Sequence, residues 1–245
     1  MKVPWPEDLH VLIISAWLEE TLVCATMKKQ SSVKRFGMER KMKDTKIRIA
    51  TKQDAQELLA LYAPYVEETA ITFEYQVPSL SEFENRIVQV LERFPYLVAI
   101  RQGQIVGYAY AGPFKARAAY AWAVETTVYI RRDQKKTGLG RELYGVLEKI
   151  LALQNIQNLY ACIASCEVKD QYLSRDSIHF HERLGYRMVG EFYHCGCKFN
   201  RWYNMVWMEK HLGKHEENPP AVLPFNEIRD LIADKYEIIV PRQRP

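Results

Sequence analysis

A chain of 245 residues, 48% of them hydrophobic, can bury a sizeable core and has room for one large domain with appendages. Its 34 Lys and Arg against 30 Asp and Glu leave a formal charge of +4, too mild and too concentrated near the N-terminus to suggest a nucleic-acid-binding face. Five cysteines without regular spacing exclude a disulfide framework and fit reduced thiols in a cytoplasmic protein; the tight Cys195-Gly-Cys197 spacing, with only His194 beside it, argues against a metal site.

Residues 1–46 show no sustained period, end in a basic stretch, and read as an extension outside the domain. The apolar run 11–18 is too short to span a bilayer, and residues 1–10 lack a basic n-region, so neither a membrane anchor nor a signal peptide is expected. The pattern becomes regular at Ile47, with a short strand over 47–50. Thr51-Lys-Gln-Asp54 resembles a helix start, and Ser79-Leu-Ser-Glu82 is a clearer capping box. Leu80, Phe83, Ile87, Leu91 and Phe94 then recur at helical spacing until Pro95. Residues 96–101 and 105–111 read as a hairpin around Gln102-Gly-Gln104, and 119–130 as a longer strand. Leu143, Val146, Leu147, Ile150 and Leu151 form a helical stripe, followed by a buried strand over 159–164. Asp176 reads as the cap of a short helix that stops at Gly185, and 186–195 and 201–208 are two final strands. The order β-α-α-β-β-β-α-β-α-β-β describes a mixed α/β domain over 47–212. The tail 213–245 is proline-rich, turns amphipathic over 225–232, and reads as an appendage without chemistry.

Two places carry chemistry. Lys135-Lys-Thr-Gly-Leu-Gly-Arg141 bends from a strand into a helix, and such a turn exposes backbone N–H groups that attract anions, phosphate above all. Gly138 and Gly140 let the backbone approach a ligand, while Lys135, Lys136 and Arg141 add positive charge. The P-loop spacing is absent, and Leu143 stands where a dinucleotide fingerprint needs its third glycine. Taken alone, the loop is either an anion cradle or a plain strand–helix turn. The second place is the strand before it. Alternation puts Trp122, Val124, Val128 and Ile130 on one face, Glu125 and Tyr129 on the other. A carboxylate in an apolar strand is costly to desolvate, so its pKa should rise towards that of a useful base; a salt bridge across the sheet is the alternative. His181 suits acid–base work or packing. Lys115 and Arg117 suit a carboxylate or phosphinate ligand, or plain solvent exposure.

The strand, the glycine loop and the amphipathic helix together resemble the pyrophosphate loop of the GNAT superfamily of N-acetyltransferases, Gln/Arg-x-x-Gly-x-Gly/Ala. Asp176-Ser-Ile-His-Phe-His-Glu-Arg-Leu-Gly-Tyr186 resembles their second familiar stretch. The likeness is closer to the phosphinothricin N-acetyltransferase group, through Thr72-Phe73, Ala111-Gly-Pro-Phe-Lys-Ala-Arg117, Val124-Glu-Thr-Thr-Val-Tyr129, Thr137-Gly-Leu-Gly140 and His181-Glu-Arg-Leu-Gly-Tyr186, collinear over about 47–208. The resemblance implies the GNAT acyl-CoA N-acyltransferase fold, a central, mostly antiparallel twisted sheet flanked by helices. It implies acetyl-CoA as co-substrate and no metal.

In that frame Lys135, Lys136, Thr137, Gly138, Leu139, Gly140 and Arg141 form the pyrophosphate loop, and Thr127, Val128, Tyr129 and Ile130 pair with the pantetheine arm. Glu125 is the general base, a strand amide at Val128 or a neighbour holds the oxyanion, and His181 is an auxiliary acid or base. Thr72, Phe73, Lys115 and Arg117 face a small amine or amino-acid acceptor, and the protein is a homodimer. This chain departs from the group at Lys135, where Gln or Arg is usual, at Ser174 in place of Asn, and in extra residues over 166–173 beside the acceptor pocket. The departures leave another small amino acid or amine as well supported as phosphinothricin. A non-catalytic acetyl-CoA sensor and a protein or peptide N-acetyltransferase are the rival readings.

Overall fold

The computed structural model of the chain describes residues 45–236, 238 and 241; up to residue 44, the expected N-terminal extension lies outside them. Strand β1 (Lys46–Ile49) leads into the Thr51–Asp54 capping box, where the Asp54 carboxylate accepts from the Thr51 N–H at 2.7 Å and pairs with Arg48. Helix α1 (Ala55–Glu68) follows. Ser79 caps α2 (Leu80–Arg93), its hydroxyl accepting from the Glu82 N–H at 3.2 Å. Strands β2 (Tyr96–Arg101) and β3 (Gln104–Pro113) form a tight hairpin because Gln102 and Gly103 both take left-handed backbone angles, which match the strand twist.

Strand β4 (Ala123–Ile130) is shorter than expected. Ala118–Tyr120 form a 3-10 turn instead, closed by the Tyr120 N–H on the Arg117 carbonyl at 3.0 Å; this alanine-rich stretch has no β-branched side chain to favour a strand. Helix α3 (Leu139–Leu153), β5 (Asn158–Ser165), α4 (Asp176–Arg183), β6 (Arg187–Lys198) and β7 (Arg201–His211) complete the expected order. Asp176 is the first residue of α4 rather than its cap. Arg175 holds the cap position, and the carboxylate sits in the first turn, where it complements the helix dipole.

The seven strands make one sheet in the order β1-β2-β3-β4-β5-β7-β6, antiparallel throughout except between β4 and β5. On one face Leu58, Tyr62 and Tyr65 of α1 and Phe83 and Ile87 of α2 pack on Tyr96, Val98 and Tyr108. On the other, Leu139, Leu143, Leu147 and Ile150 of α3 cover Leu97, Ala109, Val124, Leu159 and Val206. The alternation read in β4 holds, since Val124, Val128 and Ile130 face α3 while Tyr129 joins the α1 side.

The amphipathic stretch read as an appendage packs into this second core. It forms α5 (Phe225–Tyr236), in which Phe225 and Ile232 are 0% exposed and Ile228 is 2% exposed. Upstream of it the chain is clamped by its carbonyls: Trp122 Nε1 donates to Pro220 at 2.7 Å, Asn155 Nδ2 to Ala221 at 2.8 Å and Gln154 Nε2 to Leu223 at 2.8 Å. Gln154 is fully buried and also donates to the Arg93 carbonyl, so it joins the ends of α2 and α3 to the tail. Removing a buried aromatic costs about 3–5 kcal/mol, and each kcal/mol lowers Tm by roughly 2–4 °C in a domain of this size. Phe225→Ala is therefore expected to lower Tm by about 6–20 °C in thermal unfolding followed by circular dichroism. A change below about 2 °C would restore the appendage reading.

Candidate active site

Strands β4 and β5 pair at only three positions, Ala123 with Asn158, Val124 with Leu159 and Glu125 with Tyr160. Beyond them β5 continues against β7 and β4 against β3, so the sheet opens into a wedge. Over residues 126–130 the backbone groups of β4 that point away from β3 have no strand opposite them, which is an edge an extended ligand can pair with. A cavity of about 430 Å³ fills the wedge, lined by residues 125–129 of β4, 161–164 of β5 and side chains from all four helices around it.

Glu125 stands at the last paired position and lines this cavity. Burial pushes its carboxyl above the ordinary range, and the Lys115 ammonium offsets part of that rise. Lys115 Nζ lies 5.0 Å from the centre of the Phe114 ring and 5.5 Å from that of Trp207, resting on aromatic faces rather than in the cavity wall. Across the wedge His181 is buried, with Nδ1 2.8 Å from the Ser177 carbonyl and Nε2 3.0 Å from the Tyr144 hydroxyl. The carbonyl can only accept, so Nδ1 carries the proton and Nε2 accepts from Tyr144. Desolvation lowers the imidazole pKa to about 4, against the opposing pull of the Ser177 carbonyl. Burial therefore favours the neutral imidazole, with Nε2 as its accepting nitrogen. Tyr144 also approaches Thr126 Oγ1 at 3.3 Å, and Thr126 in turn meets the Tyr186 hydroxyl at 3.1 Å.

Beyond β4, Lys136 and Gly138 take left-handed backbone angles, φ 61° and 88°, which turn the chain into α3. The first α-helical bond runs from the Glu142 N–H to the Gly138 carbonyl at 3.1 Å, so the amides of Leu139, Gly140 and Arg141 precede it and can face an anion. Arg101, at the end of β2, holds the loop: its Nη1 donates to Gln134 Oε1 at 3.1 Å and to Thr137 Oγ1 at 3.2 Å. Gly140 also serves packing. A Cβ there would come within 3.0 Å of the Phe180 ring, so its missing side chain admits α4 against α3. Lys135 Nζ lies 5.0 Å from the centre of the Tyr65 ring, and burial lowers its pKa, helped by Arg132 and Lys136.

The acceptor side differs most from expectation. Thr72 lines the cavity, with Oγ1 2.9 Å from the Tyr62 hydroxyl and its carbonyl held by Lys198 Nζ at 2.8 Å. Phe73 points elsewhere. Its ring lies over Gly196, where a Cβ would come within 2.3 Å, and beside Tyr203. Arg117 is exposed ahead of the 3-10 turn, and neither it nor Lys115 lines the cavity. The wall is built instead from Glu74 and Arg86, paired at 2.7 Å, and from the stacked rings of Tyr96, Tyr108 and Tyr110. A second ion pair, 2.5 Å long, ties Arg86 to Glu82.

Family comparison is consistent with this geometry. The acetyltransferase (GNAT) domain model matches residues 47–207. The chain belongs to the GNAT acetyltransferase family. Phosphinothricin N-acetyltransferase of Streptomyces viridochromogenes is 33% identical over 165 residues, which cover 67% of this chain and 86% of that protein. An L-methionine sulfoximine/L-methionine sulfone acetyltransferase of Pseudomonas paraeruginosa is 30% identical over 175 residues, covering 71% of this chain and 98% of that protein. Among solved structures, a GNAT superfamily phosphinothricin acetyltransferase from Sinorhizobium meliloti in complex with AcCoA superposes with a TM-score of 0.65 at 26% identity, over 74% of this chain and 98% of that one.

Sequence reasoning about this GNAT chain missed Tyr144, Glu74, Arg86 and Arg101. Tyr144 carried a usable signal, because a phenol in an apolar helix stripe needs a partner for its hydroxyl. The loop presents backbone amides at the start of α3 that are free to meet an anion. With coenzyme A as probe, Gly138→Val puts a β-branched side chain at φ 88°, and the strain of about 1–3 kcal/mol is expected to weaken binding roughly tenfold or more in calorimetric titration. Lys135→Gln is expected to stay within about twofold of the parent. A larger loss for Lys135→Gln than for Gly138→Val would reverse that assignment.

Proposed function

We propose that this GNAT chain transfers the acetyl group of acetyl-CoA to the amine of a small amino-acid-like acceptor, of the phosphinothricin or methionine sulfoximine type, with Glu125 as general base. The observation that carries the reading is the desolvated Glu125 carboxylate at the apex of the β4–β5 wedge, in the wall of the cavity and beside the open edge of β4. The pantetheine arm lies along residues 127–130 and pairs with the free groups of β4. The pyrophosphate rests on the amides of Leu139, Gly140 and Arg141, with Lys136 and Thr137 in the same loop.

Glu125 takes a proton from the acceptor ammonium, directly or through a water. The free amine attacks the thioester carbon, forming the C–N bond. A β4 amide, at Val128 or a neighbour, donates to the oxyanion that develops on the carbonyl oxygen. Collapse breaks the C–S bond and releases coenzyme A thiolate, which needs little help to leave. The neutral His181 orients Tyr144. A homodimer fits the exposed edge strand β6, where Met188, Val189, Phe192 and Tyr193 are each 47% exposed or more. Among the described residues no helix is long and apolar enough to cross a membrane.

Glu125→Gln is expected to lower kcat about 100-fold or more and leave the KM for acetyl-CoA unchanged, measured as thiol release. The pH dependence has a definite sign. Glu125 acts as a carboxylate, so kcat/KM rises with pH through its raised folded pKa, above the usual carboxylate range. Stability runs the other way. Between the unfolded and the folded pKa the folded state binds more protons, so the parent loses stability as pH rises through that window. The Tm advantage of Glu125→Gln should therefore grow across the same window and then level off. An unchanged kcat removes Glu125 from the mechanism. Coenzyme A binding without turnover, on a panel of amino acids, sulfones, phosphinates, polyamines and peptides, points to a sensor, and turnover of peptides alone to a peptide acetyltransferase.

A further inference from the structure

The segment 166–173 joins β5 to α4 and reaches the cavity through Leu173. It is folded around one carboxylate. Asp170 Oδ1 accepts from the N–H of Tyr172 at 2.6 Å, the N–H of Leu173 at 3.1 Å and the hydroxyl of Tyr203 at 3.3 Å, while Oδ2 accepts from Arg201 Nη1 at 2.6 Å. The Asp170 side chain is only 6% exposed, and a buried carboxylate is tolerable because these four donors replace water. Two of the donors, Tyr203 and Arg201, belong to β7, so the turn is fixed to the sheet.

The segment is tied on its other side as well. The Tyr172 carbonyl accepts from the Ala70 N–H at 3.0 Å, at the start of the stretch that carries Thr72 and Glu74 into the cavity wall. The Tyr172 ring stacks on Phe199 at 4.1 Å. The result of these ties is Leu173, which packs with Ala70, Ala164 and Tyr203 and lines the cavity together with Ala164 and Ile71.

We propose that Leu173 limits the size of the acceptor and that Asp170 is the positioning residue that holds it there, excluding side chains bulkier than that of methionine sulfoximine. This rests on the transferase reading above. The argument is steric. A wall anchored at both edges cannot retreat from a larger side chain as a free loop can, and a single methylene in an apolar pocket changes kcat/KM by about 10–200-fold. Asp170 touches no reacting atom in this account. It acts through the place it gives Leu173.

The test compares kcat/KM for a long acceptor, an aromatic amino acid bulkier than methionine sulfoximine, with that for methionine sulfoximine as the short one. Leu173→Ala should raise the long-to-short ratio roughly tenfold or more, with the KM for acetyl-CoA unchanged, and Leu173→Met should keep the parent ratio. Asp170→Asn and Arg201→Met, the second at a half-exposed site that the fold tolerates, should move the ratio in the same direction as Leu173→Ala. A fall in kcat that is equal for both acceptors would show a purely structural role and overturn the proposal. An unchanged ratio in Leu173→Ala overturns the wall. A shift in Leu173→Ala with none in Asp170→Asn or Arg201→Met overturns the assignment of Asp170. If the parent releases no thiol with any acceptor, the transferase reading fails and takes this inference with it, whereas turnover with unmoved ratios fails this inference alone.

Discussion

Backbone N–H and C=O groups in a protein interior must be paired, and the parting of β4 from β5 after Glu125 breaks that rule on purpose. β5 has its partner in β7 over its whole length, from Asn158 to Ser165, and β4 has β3 from Val124, opposite Pro113, to Ile130, opposite Gly107. Each strand thus keeps its outer edge paired while the two facing edges part after Glu125 and Tyr160. The space between them is held from the α3 and α4 side by Tyr144, His181, Thr126 and Tyr186, whose hydroxyls and imidazole bond to one another. Thr126 also reaches the Tyr160 carbonyl at 3.1 Å, across the last point of strand contact. The wedge is thus a built opening with a polar apex; on the edge of β4 the Ile130 carbonyl accepts from the Tyr65 hydroxyl, and an extended ligand can pair with the groups before it.

The placement of the other groups follows from this opening. Glu125 lies at the apex, shielded enough to raise its pKa and still in the cavity wall. Five residues further, roughly 17 Å away at about 3.3 Å per residue, the strand ends, and the glycine loop lies beyond it. A ligand with a thioester at one end and a diphosphate at the other, laid along that edge, would have its charge at the α3 N-terminus and its thioester near Glu125. Arg101 adds stiffness to this arrangement. By holding Gln134 and Thr137 it fixes the two left-handed turns before the ligand arrives, so the ordering cost is met in folding.

Elements set by local rules were legible in the sequence. The Ser79 capping box, the left-handed hairpin turn at Gln102-Gly103 and the two-sided pattern of β4 all follow from neighbours within a few residues. What depends on distant partners was not. The packing role of Gly140 could not be read because the ring it accommodates, Phe180, is 40 positions away. The α5 stretch looked peripheral because its amphipathic face is matched only by the groove that α2 and α3 create together. His181 was marked as an acid or base by its surroundings in the chain, but burial lowers its pKa and the Ser177 carbonyl and Tyr144 set its tautomer only after folding.

The acceptor wall shows most clearly why charge in a sequence is a weak guide to substrate charge. Lys115 and Arg117 stand just before β4 in the chain, yet Lys115 spends its field on Glu125 and Arg117 is in solvent. The guanidinium that does line the cavity, Arg86, is bonded to two carboxylates, Glu74 and Glu82, which hold it charged and at the same time neutralise it. A second anion brought against that trio would meet a net negative group. Under the proposed reaction, discrimination among acceptors then rests on shape and on single hydrogen bonds rather than on attraction between opposite charges. Shape is supplied by rigid pieces: the stacked tyrosines of β2 and β3, and the Leu173 segment fixed through Asp170. Such a wall rejects by collision, which costs a misfit acceptor far more than a missing attraction would, and it does so without burying an unpaired charge beside the base.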